Sequence, residues 1–373
     1  MIKYLGSKRS LLPVIQRVAK AVPHATSVVD LFSGTARVGH ALKSRGFQVF
    51  SNDHNAYGAT LARCYVQADA ERVERQARLL IHELSRLPGQ AGYFTETFCE
   101  RSRFFQPRNG ARVDAIREEI ARKSLDPTLE AVVLVSLMEA ADRVDSTCGV
   151  QMAYLKQWAP RAFNDLELRM PAVLGASPHG SCRAVQLDAA DAINELGADI
   201  VYLDPPYNQH SYLGNYHVWE SLVLWDKPEV YGIACKRIDV RARKSDFNLK
   251  PRFKDAFAHV VRTAKCRVLV VSFNNEGYMP RPEMEELLAE RGSVFVIATD
   301  FKRYVGAQIG IYNPSGQLVG EVSHLRNVEY LYIVDAERTG VDWSELTRML
   351  STSSDRDAAL QTARAKAVQQ ALF

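Results

Sequence analysis

The sequence has no apolar run long enough to cross a bilayer. Its longest apolar stretches lie around Val132–Met138 and Val268–Val271, whereas a membrane-spanning helix needs about 20 apolar residues. The first residues carry Lys3, Lys8 and Arg9, and no apolar signal-peptide segment follows them. We therefore predict a cytoplasmic protein without a membrane partner.

Closely spaced cysteines are also lacking. The six cysteines are scattered, and the nearest two, Cys235 and Cys266, are 31 positions apart. Without a Cys-x-x-Cys pair, no two cysteines are close enough in sequence to form a typical metal-binding motif. A chain of 373 residues does not need disulfides to fold. We expect free, mostly packed thiols and no metal site.

Composition places the chain among ordinary globular proteins. Apolar residues make up 47% and charged residues 24%, which excludes a disordered, collagen-like or coiled-coil protein. The length allows two domains, or one core with a large insertion. A net charge of +4 permits a nucleic-acid partner but does not establish one.

Seven short apolar segments predict strands. They are Ser27–Phe32, Phe47–Ser51, Cys182–Leu187, Asp199–Leu203, Arg267–Ser272, Val294–Thr299 and Val328–Val334. The first is followed by a glycine turn and a helical stretch to Arg45, so it begins a β-α-β unit of a parallel sheet. The fold class is therefore predicted to be α/β.

Between residues 56 and 176 the strand pattern disappears. Helical patterns at 68–87, 111–123 and 129–144 take its place. We predict a catalytic domain formed by residues 1–55 and 177–343, a helical insertion at 56–176, and a tail at 344–373 that contains a helix at 357–372.

The segment Asp30–Gly39 places a glycine turn directly after the first strand. Such a turn lets backbone amides approach a ligand closely. Only Gly34 and Gly39 are present, so the dinucleotide fingerprint is incomplete, and the lysine of a phosphate loop is missing. Asp53, at the end of the second strand, is placed to bind ribose hydroxyls. These features favour a nucleoside ligand and exclude a nicotinamide dehydrogenase.

Asp204-Pro205-Pro206-Tyr207 follows a buried strand, at the strand end where α/β proteins bind ligands. The two prolines fix a rigid turn, so that a carboxylate, a carbonyl and a ring can face one planar amine. A flipped-out base fits that description.

Together these motifs resemble the S-adenosylmethionine-dependent DNA adenine-N6 methyltransferases, the Dam-like and type II restriction-modification group. The matching segments are Lys3–Lys8, Asp30–Gly34, Asn52–Asp53, Gln186–Asp188 and Asp204–Tyr207. The resemblance implies a Rossmann-like class I methyltransferase sheet, mostly parallel and seven-stranded, with a large helical insertion. Aspartate at 204, rather than Ser or Thr, favours adenine over cytosine.

The resemblance also implies roles for single residues. Asp204 and the Pro205 carbonyl would accept hydrogen bonds from the target amino group, with Pro206 and Tyr207 completing the catalytic turn and Tyr207 stacking on the base. The residues implied for binding S-adenosylmethionine are Tyr4 and Lys8 at its methionine end, Asp30, Phe32 and Gly34 along the turn, Asp53 at the ribose and Asp188 at the adenine.

Two basic stretches are candidate nucleic-acid surfaces. Residues 236–254 hold eight Lys and Arg against two acids, and residues 101–123 hold seven against three. Both contain aromatic residues, which suits phosphates and unstacked bases, although a solvated surface remains an alternative. The predicted DNA contacts are Arg241, Arg243 and Lys244, with Arg101, Arg103, Arg108 and Arg112 in the insertion.

We therefore predict methyl transfer from S-adenosylmethionine to adenine in a short duplex DNA site, by base flipping and direct in-line transfer. The insertion favours DNA, because major-groove reading needs extra surface, but it could instead only cover one sheet face. Transfer to RNA adenine and a non-catalytic nucleic-acid-binding protein remain alternatives. Whether a cognate restriction endonuclease accompanies the chain is left open.

Overall fold

A computed structural model of the chain describes residues 1–209, 211–302, 311–312, 318–320 and 326–350. The strands in this part of the chain are β1 (Ser27–Asp30), β2 (Gln48–Asn52), β3 (Arg183–Val185), β4 (Ile200–Leu203), β5 (Val230–Tyr231), β6 (Lys236–Arg237), β7 (Val268–Asn274), β8 (Ser293–Lys302), β9 (Ile311–Tyr312), β10 (Leu318–Gly320) and β11 (Arg326–Asp335). The helices are α1 (Leu12–Ala21), α2 (Arg37–Lys43), α3 (Ala56–Ala62), α4 (Ala70–Ser85), α5 (Tyr93–Thr95), α6 (Pro107–Lys123), α7 (Pro127–Arg143), α8 (Ala189–Glu195), α9 (Tyr212–Asn215), α10 (His217–Leu224), α11 (Lys250–Thr263) and α12 (Arg281–Ala289).

Seven strands form one central sheet in the order β3-β2-β1-β4-β7-β11-β8. The first five are parallel, whereas β11 is antiparallel to both of its neighbours. Strand order reverses between β1 and β4, and ligands bind open α/β sheets outside the strand ends at such a switch point. The topology therefore predicts a binding site where β1 and β4 end.

Neighbouring residues of the central strands enter two different apolar cores. Val28 and Ile200 belong to one core, and Val29 and Val201 belong to the other, because successive side chains of a strand point to opposite faces. Both faces are covered, which explains the unbroken burial of β4 and β7. Helices α8, α11 and α12 cover one face.

The insertion helices share the other core with α1, α2 and the sheet. Helix α7 begins after Asp126, whose carboxylate accepts two backbone N–H groups of the first turn, and its residues 131–138 are all buried. The buried Lys43 ammonium of α2 donates three hydrogen bonds to residues 66–69. The insertion therefore covers one face of the sheet.

The predicted fold class is confirmed, and each of the seven predicted strands is present. The predicted insertion helices correspond to α4, α6 and α7, although α6 begins at Pro107 rather than at residue 111, because proline is compatible with a first helical turn. The predicted helix at 357–372 lies outside the described residues, and the domain boundaries stay a prediction. None of the helices described is long and apolar enough to span a membrane.

Candidate active site

The turn after β1 brings a carboxylate and backbone amides to the end of the sheet. Asp30 accepts the backbone N–H of Gly39 through Oδ2 at 3.0 Å. Gly34 has a φ of +53°, which favours glycine, and its N–H donates to Asp53 Oδ2 at 2.8 Å. A Cβ at Gly39 would lie 2.8 Å from Ser51 Oγ, so the glycine allows α2 to pack closely on β2. These contacts join the ends of β1 and β2 into one rigid edge.

Asp30 and Asp53 lie in surroundings that disfavour their charged forms. Burial raises the pKa of each to about 7, although the Gly39 N–H opposes this at Asp30 and the N–H groups of Asn55 and Gly34 oppose it at Asp53. Backbone hydrogen bonds therefore only partly offset the lost hydration of the two carboxylates. Further hydrogen-bond donors from a ligand would favour ionisation.

Asp204 follows β4 and belongs to a buried ionic cluster. Its Oδ1 is 3.0 Å from the Lys8 ammonium, which is also 2.6 Å from Oε1 of Glu329 on β11. Ser272 on β7 donates to the same Glu329 oxygen at 2.8 Å. We call Lys8, Asp204, Glu329 and Ser272 the ionic cluster.

The ionic cluster shifts the titration of its members. Burial raises the pKa of Asp204 to about 6; the Lys8 ammonium lowers it, and the Glu329 carboxylate raises it further. Burial alone would lower the pKa of Lys8, but Asp204 and Glu329 together raise it well above its usual value. Lys8 is therefore a permanent cation beside a carboxylate that titrates close to neutrality.

Aromatic stacking holds the amino-terminal segment beside the Asp204–Tyr207 turn. The Tyr4 ring is roughly parallel to both Tyr212 and Tyr216, with centroid distances of 5.1 and 4.6 Å. The Leu5 N–H donates to the Tyr216 hydroxyl at 2.6 Å. The stack holds the segment that carries Lys8 against α9.

One cavity joins these groups, with about 970 Å³ of empty space including its open mouth. The predicted site residues that line it are Tyr4, Lys8, Asp30, Phe32, Gly34, Asp53, Asp188, Asp204 and Pro206. Pro205 and Tyr207 adjoin it without lining it, and the Tyr207 ring packs edge-on against Phe273 with centroids 5.6 Å apart. The fold thus gathers residues that are distant in sequence around one space.

The cavity fits a ligand that combines a nucleoside with an amino acid, as S-adenosylmethionine does. Among the described residues, Asp30 Oδ1 and Ser33 Oγ are buried without a hydrogen-bond partner, and both residues line the cavity. Buried polar atoms are normally paired, so a polar ligand would supply what these atoms lack. The Lys8 ammonium has three hydrogens; it donates one to Glu329 Oε1 and forms an ion pair with Asp204.

A groove adjoins the cavity and shares two lining residues with it. Among the described residues of its lining, the charged ones are the cations Lys236, Arg241 and Lys244, without a carboxylate. The Arg241 guanidinium lies 4.0 Å from the centroid of the Tyr231 ring, a geometry typical of a cation–π contact. We call this surface the basic groove.

Arg243, the third predicted contact of this stretch, pairs with acids of the fold. It lies 2.8 Å from Glu220 Oε1 and 3.2 Å from Asp239 Oδ2. Glu220 is fully buried and also accepts the N–H groups that begin α3. Arg243 therefore neutralises a buried carboxylate, and it lines the cavity from that position.

The structure does not bring the four predicted arginines of the insertion to the cavity or the basic groove. Arg112 donates to backbone carbonyls at the end of α4, and Arg108 donates to a carbonyl in the loop after α7. Arg103 stacks on Trp158 at 4.7 Å, and Arg101 is exposed. Their contact with DNA stays a prediction.

Sequence reasoning missed Glu329. The residue is the only acid in the predicted strand Val328–Val334, and a charged side chain inside an apolar strand is a usable signal for a buried ion pair. Its partner Lys8 is 321 positions away, which no local pattern can reveal.

Comparison with known proteins agrees with this geometry. Residues 4–275 match the family described as D12 class N6 adenine-specific DNA methyltransferase. The chain is 32% identical over 313 residues to the type II methyltransferase M.FokI of Planomicrobium okeanokoites, which covers 78% of this chain and 47% of M.FokI. It is 30% identical over 315 residues to M.NlaIII of Neisseria lactamica, covering 81% of this chain and 92% of M.NlaIII.

The chain thus spans about half the length of M.FokI and most of the length of M.NlaIII. M.CviAII of Paramecium bursaria Chlorella virus 1 is 26% identical over 316 residues, with 92% of its length covered. The family match contains the glycine turn, the insertion and the Asp-Pro-Pro-Tyr turn, so the predicted resemblance is confirmed. The chain belongs to the D12 class of N6 adenine-specific DNA methyltransferases.

Proposed function

We propose that this chain transfers a methyl group from S-adenosylmethionine to the exocyclic amino group of adenine in a short duplex DNA sequence. The observation that carries the proposal is the single cavity shared by the glycine turn of β1 and the Asp204 carboxylate. A cofactor at the turn and a flipped adenine at Asp204 would meet in that space. The family, described as adenine-specific and DNA-modifying, supports DNA adenine over the RNA alternative.

The nucleoside end of the cofactor is proposed to lie along the β1–β2 edge. Asp53 accepts its ribose hydroxyls, and Asp188 accepts its adenine amino group. Phe32 and Gly34, with the adjacent backbone amides, form the surface beneath it. Hydrogen bonds from the ribose would lower the raised pKa of Asp53, because they favour the charged carboxylate.

The methionine end is proposed to lie between β1 and the amino-terminal segment. A Lys8 ammonium hydrogen that Glu329 does not accept binds its carboxylate, Tyr4 packs beside it, and the unpartnered Oδ1 of Asp30 accepts from its amino group. When bound, S-adenosylmethionine supplies an electrophilic methyl group on a sulfonium and leaves as the neutral thioether S-adenosylhomocysteine.

The Asp-Pro-Pro-Tyr turn is proposed to hold the target adenine. Oδ2 of Asp204 and the Pro205 carbonyl accept the two hydrogens of its amino group, while Pro206 fixes the turn and Tyr207 stacks on the ring. The two acceptors keep the nitrogen lone pair localised for attack on the methyl carbon. The carbon–sulfur bond would break as the carbon–nitrogen bond forms, and the nitrogen then releases one proton to water. Catalysis rests on positioning and electrostatics.

The basic groove is proposed as the path of the DNA backbone beside the flipped base. Arg241 and Lys244 are exposed on a lining whose described residues include three cations and no carboxylate, which suits phosphates. Arg243 is proposed instead to stabilise the fold, because its charge is already neutralised by Glu220 and Asp239.

The insertion is proposed to contribute to sequence reading through the loop after α7. Met152 of this loop lines the basic groove, and the Gln151 N–H donates to the Asn215 carbonyl of α9 at 2.7 Å. Exposed Arg101, and Arg103 stacked on Trp158, are the candidates for base or phosphate contacts. The backbone contacts of Arg108 and Arg112 favour a structural role for those two residues.

The test is a methyl-transfer assay with purified protein, methyl-labelled S-adenosylmethionine and unmethylated genomic DNA, followed by digestion to nucleosides. We expect the label in N6-methyladenine. Asp204→Ala serves as the control that removes transfer. Label in N4-methylcytosine, transfer to RNA in preference to DNA, or no transfer by folded protein would contradict the proposal.

A further inference from the structure

Glu329 is a second carboxylate that holds the Lys8 ammonium beside Asp204. Its Oε1 lies 2.6 Å from Lys8 Nζ and accepts the Ser272 hydroxyl at 2.8 Å. The Lys8 and Glu329 side chains are only 8% and 11% exposed. Strands β7 and β11, which carry Ser272 and Glu329, are neighbours in the sheet, so the sheet fixes both groups.

The position of the Lys8 ammonium determines which carboxylate oxygen of Asp204 can accept a hydrogen bond from another group. The ammonium is 3.0 Å from Oδ1 of Asp204, on one side of that carboxylate. An ammonium that had Asp204 as its sole carboxylate partner would be drawn towards both oxygens, since each bears half of the negative charge. The Glu329 carboxylate also attracts this cation, at the shorter distance of 2.6 Å, and so limits its movement towards the second oxygen of Asp204.

We propose that Glu329 is a positioning residue for the proposed methyl transfer: it holds Lys8 at Oδ1 of Asp204 and leaves Oδ2 open to the amino group of the target base. This inference rests on the proposed function for its catalytic meaning. The arrangement of the ionic cluster can be tested in the ligand-free protein.

The charges of the ionic cluster predict opposite effects for its two partners. Loss of the Glu329 charge removes a repulsion and eases ionisation of Asp204, whereas loss of the Lys8 charge removes an attraction and impedes it. The other ionisable groups around the ionic cluster are Asp30, Tyr202, Tyr207, Tyr212 and Glu276. The tyrosines stay neutral at the pH values of the test, so the carboxylates and Lys8 determine the electrostatic potential at Asp204.

The first experiment is a carboxyl NMR titration of Asp204 in the protein with ¹³C-labelled aspartate, assigned with Asp204→Asn. Glu329→Gln should move the Asp204 midpoint to lower pH by about one unit, and Lys8→Met should move it to higher pH by a similar amount. Glu290→Gln, directly after α12, makes the same change of net charge at an exposed ion pair with Arg262 and should leave the midpoint unchanged. An unchanged midpoint in folded Glu329→Gln would overturn the inference.

The second experiment measures turnover against pH. Glu329→Gln should lower kcat at least tenfold, with a much smaller change in KM for S-adenosylmethionine, and should move the acidic limb to lower pH. Glu329→Asp keeps the charge but shortens the side chain, so kcat should fall while the acidic limb stays near its wild-type position. Wild-type kcat in Glu329→Asp, or a change confined to KM, would contradict a positioning role.

The two experiments separate failure of this inference from failure of the proposed function. The titration needs neither cofactor nor DNA, so its outcome decides the role of Glu329 in the ionic cluster. A wild-type protein that shows the expected titration but no methyl transfer would contradict the proposed function. A transferring enzyme with an unmoved Asp204 midpoint in Glu329→Gln would contradict the positioning role.

Discussion

The two carboxylate oxygens of Asp30 have different surroundings: one is hydrogen-bonded within the fold, and the other has no partner in a residue that lines the cavity. Oδ2 accepts the Gly39 N–H at 3.0 Å, whereas Oδ1 is buried without a hydrogen-bond partner in the part of the chain described. The side chain is only 1% exposed, and burial raises its pKa to about 7. The charged form of Asp30 therefore costs stability in the ligand-free protein.

We predict that Asp30→Asn stabilises the ligand-free protein at pH 8 while weakening its binding of S-adenosylmethionine. The pKa of Asp30 is raised on folding, so the wild-type protein loses stability as the pH rises from about 4 towards 7, and the amide removes this loss. The free energy of unfolding at pH 8 should rise by about 1–3 kcal/mol, as measured by urea denaturation. Asp255→Asn, an exposed position on α11, controls for net charge, and a less stable Asp30→Asn would contradict the prediction.

We predict that Asp204→Ala lowers kcat by several orders of magnitude and leaves the fold intact. The substitution removes an acceptor for the target amino group, but Lys8 keeps its 2.6 Å ion pair with Glu329 and is not left as an unpaired buried charge. Methyl transfer and calorimetric titration with S-adenosylmethionine separate the two effects. Activity within about tenfold of wild type, at equal cofactor affinity, would exclude Asp204 as a catalytic residue.

The strands of the sheet and the β5–β6 ribbon differ in how well the sequence predicts them. Strands such as β7 are continuous apolar runs buried on both faces, and this pattern is visible without a structure. Strands β5 and β6 have two residues each, too few for any periodicity, and were not predicted. The motifs of the candidate site follow strand ends, so their meeting at one edge of the sheet could be predicted, whereas the pairing of Arg243 with Glu220 depends on tertiary packing.

The β5–β6 ribbon and the segment after it separate two kinds of basic residue. Lys236 and Arg241 line the basic groove, whereas Arg237 is only 3% exposed and pairs with Asp226 and Asp239. A basic stretch that looks uniform in the sequence is therefore divided by the fold into cations that are available to DNA and cations that stabilise the protein.

We predict that Arg241→Ala together with Lys244→Ala weakens binding to all DNA sequences about equally. The slope of log affinity against log salt concentration should shrink by about 0.9 for each lost phosphate contact. The measurement is fluorescence anisotropy with a duplex oligonucleotide over a range of salt concentrations.

Arg243→Ala is the matched variant within the same stretch. It should lower the stability of the protein, because Glu220 is left buried with less compensation, and it should leave the salt slope unchanged. If the salt slope changed in Arg243→Ala but not in the double variant, this would contradict the division of the stretch into cations that contact DNA and cations that stabilise the protein.

At the scale of the whole molecule, the insertion and the sheet are built around a common core. Val135 and Leu137 of α7 belong to the same apolar cluster as Val28 and Val49 of the sheet. The guanidinium of Arg117 on α6 donates to two carbonyls at the end of α10, and so connects the insertion to the part of the chain that follows the Asp204–Tyr207 turn.

We predict a single cooperative unfolding transition for the described part of the chain, because elements that share one core unfold together. Far-ultraviolet circular dichroism reports all helices, and the fluorescence of Trp158 reports the insertion in a variant that lacks the other three tryptophans. The two urea curves should coincide. An earlier transition in the Trp158 signal would show that the insertion unfolds independently.

We propose above that adenine in DNA is methylated in the cavity at the ends of β1 and β4. The most direct test of this claim is expression in a host without DNA methylation, followed by single-molecule sequencing of the genome. We predict N6-methyladenine at one short sequence throughout the genome, and none in cells that express folded Asp204→Ala. A genome without modified adenine, or with modified cytosine instead, in cells that contain the folded wild-type protein would contradict the claim.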